Sequence, residues 1–494
     1  MSIRNEESFQ LRQEKLARIR ARGVDPYPPR YRRTHTADEA VQAFAGWEKA
    51  QSGDAPKVTV AGRVTALRDM GKATFIDLRD GSGKIQVYLK SDTLGEKVYE
   101  GLADLDIGDF AGAQGALFRT RAGEVTVEAA EYSLLAKSLQ PLPEKWHGLV
   151  DTETRYRQRY LDLVANDEAR HLFALRIQII SAIRRFMDGR GFLEVETPVL
   201  LPEAGGAAAK PFVTYHNALD CNLYLRIATE LYLKRLIIGG FDKVYEIGRI
   251  FRNEGISTRH NPEFTMMESY EAYADYNDVA ALVEELVSSV AKEVIGTTRV
   301  PGGDGEIDLA PPWRRITVHD ALRQYADLDL EEYRRDEAGL RMTVQKMGIE
   351  VAPEAGWAKL VDELLSARVE PQFMEPTFLM DYPAALSPLA KRKPDNPDLV
   401  ERFEPFAGGF ELGNAYTELN DPIDQRQRFQ EQSRRRAAGE EEVEMIDEEF
   451  LLALEHGMPP TGGLGIGIDR LVMLLTGQRS IREVILFPQL RSKD

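Results

Sequence analysis

Four stretches of the chain gather residues whose types and spacing could carry chemistry. In 249–270 (RIFRNEGISTRHNPEFTMMESY), Arg252 and Glu254 alternate, so a strand there would aim both into one cleft. A turn rich in Gly255, Ser257, Asn261 and Pro262 follows and carries Arg259 and His260. Phe264, Glu268 and Tyr270 then recur at even spacing on the returning strand. Arginines beside a hairpin loop could clamp a polyphosphate, since a guanidinium matches phosphate oxygens in a fork. Surface ion pairing is the competing explanation; the many polar groups sharing one face, flanked by apolar residues, argue against it. In 401–421 (ERFEPFAGGFELGNAYTELND), Glu404 and Glu411 are followed by Asn414, Tyr416 and Glu418. Carboxylates without Lys or Arg beside them need a cation, and magnesium prefers oxygen ligands that it shares with phosphates. Alone, this segment reads equally as a solvated acidic loop. In 462–470 (GGLGIGIDR), alternate glycines let a backbone pass close to a ligand, and Arg470 opens an apolar helix from which it could reach a phosphate or a base. Alone, it is a tight strand-to-helix junction. The fourth stretch, GFLEVETPVL at 191–200, has Pro198 inside a strand-like run and by itself reads as an edge strand.

Other chemistries are missing from the sequence. There is no GxxxxGK[ST] loop, no GxGxxG fingerprint and no GxSxG elbow, and the seven histidines show no HExxH spacing. An enzyme of this kind works without a protein nucleophile or a catalytic zinc. The 494 residues are 43% hydrophobic and 29% charged, a globular composition with room for several domains. No apolar run reaches the ~20 residues of a membrane helix. The N-terminus lacks the features of a secretory signal, and Cys221 is the only cysteine, so a reducing cytoplasm is the expected location. A net charge of −17 argues against a sequence-indifferent DNA binder. Yet residues 1–33 hold nine basic against four acidic residues, and 440–449 hold seven acids. Both runs are solvated helix faces, or the chain binds a nucleic acid at one end and a small cation at the other.

The elements that must position these residues follow from periodicity. Residues 7–22 pattern as a basic surface helix that PYPP at 26–29 ends. Five short alternating strands between 57 and 140 suggest a small barrel. Residues 141–171 read as a connector running into a helix over 172–190. Beyond it, strands are expected at 223–228, 243–251, 263–270, 376–382 and 408–413, and helices at 277–295 and 357–368. No regular crossover helices space these strands, so a large antiparallel sheet is expected. The fold class is α+β, divided into a helix and basic arm (1–56), a barrel (57–140), a connector (141–171) and a sheet domain (172–494).

Taken together, GFLEVETPVL, FRNE with RHNPEFTMMESY, and GLGIGIDR closely resemble motifs 1, 2 and 3 of the class II aminoacyl-tRNA synthetases. GGAAAKPF at 205–212, TELYLKRL at 229–236 and GNAYTELND at 413–421 are similar to the bacterial-type lysyl group of that class. The resemblance runs from the helix at 7–22 to ILFP at 485–488. It implies an OB-fold anticodon-binding barrel, a class II catalytic domain, a homodimer with motif 1 at its interface, and no membrane association. It implies activation of L-lysine by ATP with Mg2+, then transfer to tRNA(Lys).

The resemblance also implies residue roles. Arg252 would hold the amino-acid carboxylate and the α-phosphate, and Glu254 would touch adenine. Arg259 and His260 would lie over the outer phosphates, and Phe264 and Arg470 would cover the two adenine faces. Glu404 and Glu411 match magnesium ligands. Glu268, Tyr270 and Glu418 would grip the side-chain ammonium, Glu230 and Gly206 the α-amino group, and Asn414 and Tyr416 would complete the pocket. In the barrel, Arg68, Phe75, Gln86 and Glu124 would read the anticodon. Thr229 departs from the pattern, standing where proline is usual. A lysine-activating paralogue that modifies a protein would lack the barrel. A non-catalytic descendant would have lost Arg252, Arg470, Glu404 or Glu411, and all four are present.

Overall fold

Strict alternation builds the N-terminal unit. In the strand Lys57–Asp69, Val58, Val60 and Val64 turn inward, as do Ile85, Val87 and Leu89 in Lys84–Lys90. With Ala73–Arg79, Phe110–Arg119 and Val125–Ala136 these strands close a five-stranded barrel. All neighbours are antiparallel except the third and fifth strands, which run parallel. This computed structural model describes residues 5–50, 53–143, 149, 151–203, 205–207, 209–303, 305–353, 355–437 (435–437 as backbone only) and 446–491. The first part of the acidic run expected at 440–449 lies outside the described residues, as does Arg4.

The helix Glu6–Ala21 is capped by Asn5, whose side chain accepts from the Ser8 amide at 3.0 Å. Its basic residues are not the free face expected of them. Arg18 and Arg22 both bind Asp104, Lys15 binds Asp106, and Arg12 donates to the carbonyls of Ser138 and Gln140. Much of the positive run is therefore spent on the unit's own structure. Nearby, Lys137 is fully buried and donates to Asp109 at 2.8 Å.

The unit spanning Asp151–Asp494 is built on a nine-stranded sheet. Its centre is antiparallel, in the order Thr377–Pro383, Leu399–Ala407, Gly413–Thr417, Thr461–Gly467, Glu263–Ala272, Lys243–Phe251. Parallel edges complete it: Arg314–Thr317 beside the first of these and Leu193–Glu194 beside the last. The edge position of Leu193–Glu194 fits the proline that follows; the strand-like run around Pro198 breaks into two-residue pieces, Leu193–Glu194 and Leu200–Leu201. The amphipathic helices Asp167–Gly189, Tyr276–Val290 and Ile468–Thr476 pack their apolar faces into one core with the sheet. Helices at Val318–Ala326, Glu337–Lys346 and Pro422–Ala437 and the strand Leu399–Ala407 went unread in the sequence.

Candidate active site

The cleft lies over the central strands and has a volume of about 430 Å3. Of the residues in this unit to which the resemblance gives a role, all but Glu418 line it. The sheet explains the convergence. Glu263–Ala272 pairs with Lys243–Phe251 on one side and Thr461–Gly467 on the other, and the latter pairs with Gly413–Thr417. Residues from the hairpin, the acidic segment and the glycine run are thereby neighbours across the sheet.

At one end sit the cations and an aromatic ring. Arg252 lies just past its strand rather than within it: Phe251 is the last paired residue, although the Arg252 amide still donates to Pro262 O at 2.8 Å. Its guanidinium lies 5.3 Å from the centre of the Phe264 ring. Ser257 shapes the hairpin loop by accepting from the amides of Arg259 and His260 at 3.1 and 3.0 Å. Arg470, in the first turn of its helix, donates to both the backbone and side-chain oxygens of Glu411 at 3.0 Å. Burial, then the nearby Arg470, pushes His260 below its ordinary value. Asp469 ties these parts together, accepting from the Thr265 amide at 2.7 Å and from Arg176 of the long helix at 2.6 Å.

The carboxylates of 401–421 do not lack cations, as the sequence suggested. Glu404, Glu411 and Glu418 each have a basic partner, local for Glu404 and brought by the fold for the other two. Glu404 accepts from Arg402 at 2.5 Å and from Tyr382 at 2.6 Å, Glu411 from Arg470, and Glu418 is paired with Lys234. Burial outweighs the pull of Arg402 and, with the charge of Glu411, lifts Glu404 to about 7. Arg402, not anticipated, also donates to Asn414 Oδ1 at 3.0 Å, and Asn414 donates to Tyr416 at 2.7 Å. One arginine thus orients three candidate residues.

The other end is a buried acidic cluster. Glu230 starts the helix Glu230–Ile238 and accepts from Lys234, one turn on, at 2.5 Å. Glu268 accepts from the Thr229 amide at 3.0 Å and from Tyr270 at 3.3 Å; burial pushes it up to about 7. Glu418 is fully buried behind Gly463, and burial raises it too, against the pull of Lys234. Gly206 holds a left-handed φ of +88° that lets its backbone pass within reach of Glu230.

On the barrel, the outward faces carry the expected residues. Phe75 is half-buried outside the barrel core and stacks on Tyr88, with ring centres 4.5 Å apart. Tyr88 in turn meets Phe118 at 6.0 Å. Arg68 pairs with Asp77 at 2.9 Å, Gln86 accepts from Thr126 at 2.9 Å, and Glu124 is exposed in the turn before the last strand. Tyr88 and Phe118 were missed; period-two counting outward from Phe75 across the paired strands would have found Tyr88.

The glycine strand yields a prediction. A Cβ on Gly463 would lie 1.8 Å from Glu418 Oε1 and 2.7 Å from the Tyr270 ring. Gly463→Ala should cost about 1–3 kcal/mol by overpacking, read as a lower urea midpoint. Gly465→Ala, whose Cβ would meet nothing closer than 3.7 Å, should leave that midpoint nearly unchanged.

Comparison with known proteins agrees with this geometry. Residues 58–142 match the OB-fold nucleic acid binding domain. A lysine–tRNA ligase of Dehalococcoides mccartyi is 58% identical over 482 residues, covering 97% of both chains. Lysine–tRNA ligases of Pelotomaculum thermopropionicum (99% of this chain, 96% of the relative) and Moorella thermoacetica (98% of each) are both 53% identical. Residues 151–491 match the family described as tRNA synthetases class II (D, K and N), and the chain belongs to that family.

Proposed function

We propose that the chain is a lysine–tRNA ligase that uses ATP to activate L-lysine as lysyl-adenylate and passes the lysine to tRNA(Lys). The observation that carries this reading is the buried cluster of Glu230, Glu268 and Glu418, at the far end of a cleft whose mouth holds Arg252, Arg259, Arg470 and Phe264. Buried carboxylates of this number call for cationic ligands, and forked guanidiniums call for phosphates. In the first step the lysine carboxylate attacks the α-phosphorus, a phosphoanhydride bond breaks, and pyrophosphate leaves with the electron pair. In the second a terminal ribose hydroxyl of the tRNA attacks the acyl carbon, and AMP leaves. Both nucleophiles belong to substrates, so the protein positions them and neutralises charge.

Arg252 is assigned the carboxylate and α-phosphate, Arg259 and His260 the outer phosphates, and Phe264 and Arg470 the two faces of adenine, with Glu254 at its edge. Glu268, Tyr270 and Glu418 are assigned the side-chain ammonium, and Glu230 with the Gly206 backbone the α-amino group. Asn414 and Tyr416 close the pocket. Among the described residues no group of three or more ligating side chains gathers at one point. Glu404 and Glu411, both lining the cleft, are assigned a magnesium ion that would take most of its ligands from phosphates and water. Such an ion would neutralise charge on the polyphosphate. Exposed Leu193, Leu200, Val213, Tyr215 and Leu219 around motif 1 support a homodimer that buries them. Among the described residues no helix is long and apolar enough to cross a membrane, and the lone cysteine suits the cytoplasm.

Lysine-dependent ATP–pyrophosphate exchange tests the reading; exchange with aspartate or asparagine in place of lysine overturns the pocket assignment. Because Glu268 is held near 7 and only its ionised form accepts an ammonium, kcat/KM for lysine should climb as pH rises through about 7. Glu268→Gln should lower lysine use on the order of 100-fold while sparing the KM for ATP, since a buried charge partner is worth about 2–5 kcal/mol. Equal loss of both would count against the ammonium role.

The aromatic stack on the barrel is assigned the anticodon, with Arg68, Gln86 and Glu124 around it. Phe75→Ala and Tyr88→Ala should each weaken tRNA use by about 1–3 kcal/mol, the worth of one stacked base, in aminoacylation assays. Pyrophosphate exchange should be unaffected.

A further inference from the structure

Lys234 is the one member of the acidic cluster to which no role has been given. It is fully buried and is not among the residues lining the cleft. Its ammonium reaches Glu230 Oε1 at 2.5 Å and is paired as closely with Glu418 Oε2; the Phe450 ring centre lies 5.8 Å away. Glu418 is fully buried, yet neither of its oxygens accepts an aligned hydrogen bond among the described residues, so this ion pair is its main compensation. Glu268, Tyr270 and Tyr416 also act electrostatically on the cluster, and the Thr229 amide donates to Glu268.

We infer that Lys234 is a resident counter-ion that sets the charge at the amino-acid end of the cleft to minus two, matching a ligand with two ammonium groups. This rests on the lysine-binding reading above. Three carboxylates and one ammonium leave two negative charges when all are ionised. A diammonium ligand cancels both, its own carboxylate being left to Arg252. A neutral-side-chain amino acid brings one ammonium, so the cluster must either bury an uncompensated charge or keep its proton and forgo one charge-assisted contact. Lys234 thus acts through Glu230 and Glu418 as a positioning and specificity residue: it pairs with both carboxylates without occupying the ligand's space.

The empty cluster has two charges too many and holds a proton near neutrality, consistent with the raised values of Glu268 and Glu418. Lysine displaces that proton. In the wild type the acidic limb therefore belongs to the free enzyme alone: it appears in kcat/KM for lysine, while kcat stays flat.

Exchange kinetics across about pH 6–9, spanning the His and raised-carboxylate range, test this on the wild-type protein, Lys234→Met and Lys234→Arg. Lys234→Met should move the kcat/KM limb up by about 1–3 units, the usual effect of losing a nearby opposite charge, and should bring a limb into kcat. Lys234→Arg, which keeps the charge, should restore the wild-type pH profile even where its absolute rate falls. The KM for ATP should hold in each. An unshifted limb in Lys234→Met, or the same pH profile in both variants, overturns the inference. So does a limb in wild-type kcat, which needs no variant to fold. Absence of lysine-dependent exchange in the wild type would instead overturn the underlying reading.

Discussion

Burying several carboxylates in one place is the constraint around which the catalytic unit is arranged. Glu230, Glu268 and Glu418 come from three elements distant in sequence, a helix start, a central strand and the exit of another strand. Each is almost fully removed from water. An isolated carboxylate in that position would cost several kcal/mol or stay protonated. The fold meets the cost with one internal ammonium and a backbone amide, and leaves the remainder for a ligand. The acidic end is therefore both the most strained part of the sheet unit electrostatically and the part most specific about what it accepts.

The same logic recurs at the mouth of the cleft with the signs exchanged. Arg402 and Arg470 are each held by a carboxylate of the 401–421 segment. Asp469 joins the glycine strand's helix to the Thr265 amide and to Arg176 on the long helix. Arg402, Arg470, Glu404 and Glu411 are thus fixed by charge partners, while Arg252 and Arg259 stand just past a strand end and in the hairpin loop. For the fixed groups little reorganisation remains when substrate charge develops, which is the condition for electrostatic catalysis.

How far this was legible in the sequence depended on whether a residue's partner was local. Glu268 and Tyr270 could be placed together because strand periodicity fixes their shared face. The strand Lys243–Phe251 falls where it was expected, because its Val, Tyr, Ile and Phe residues favour a strand. Lys234 was within a stretch that had been singled out, one helical turn from Glu230, yet its second partner, Glu418, is 184 positions away and nothing local announces it. Arg402 is different: two residues from Glu404 on one strand, it shares that carboxylate's face by period two, and the segment itself carries it. For Glu411 and Glu418 the expectation of missing cations failed because theirs, Arg470 and Lys234, come from remote elements, which periodicity does not encode. The basic N-terminal helix failed in the opposite direction, since its acceptors, Asp104 and Asp106, lie in a remote turn of the barrel unit.

Thr229 shows how a single departure from a family pattern enters this balance. Its amide donates to Glu268 Oε1 at 3.0 Å, and a proline in that place would have no hydrogen to give. Burial and the charge of Glu230 favour the protonated Glu268, while the Thr229 amide favours the ionised one. The bond opposes the desolvation that makes the cluster hold a proton, so it widens the pH range over which Glu268 is ready to accept a cation. A charge-assisted bond to a carboxylate at the centre of the site is among the stronger hydrogen bonds a protein makes, so this one departure bears directly on ligand binding.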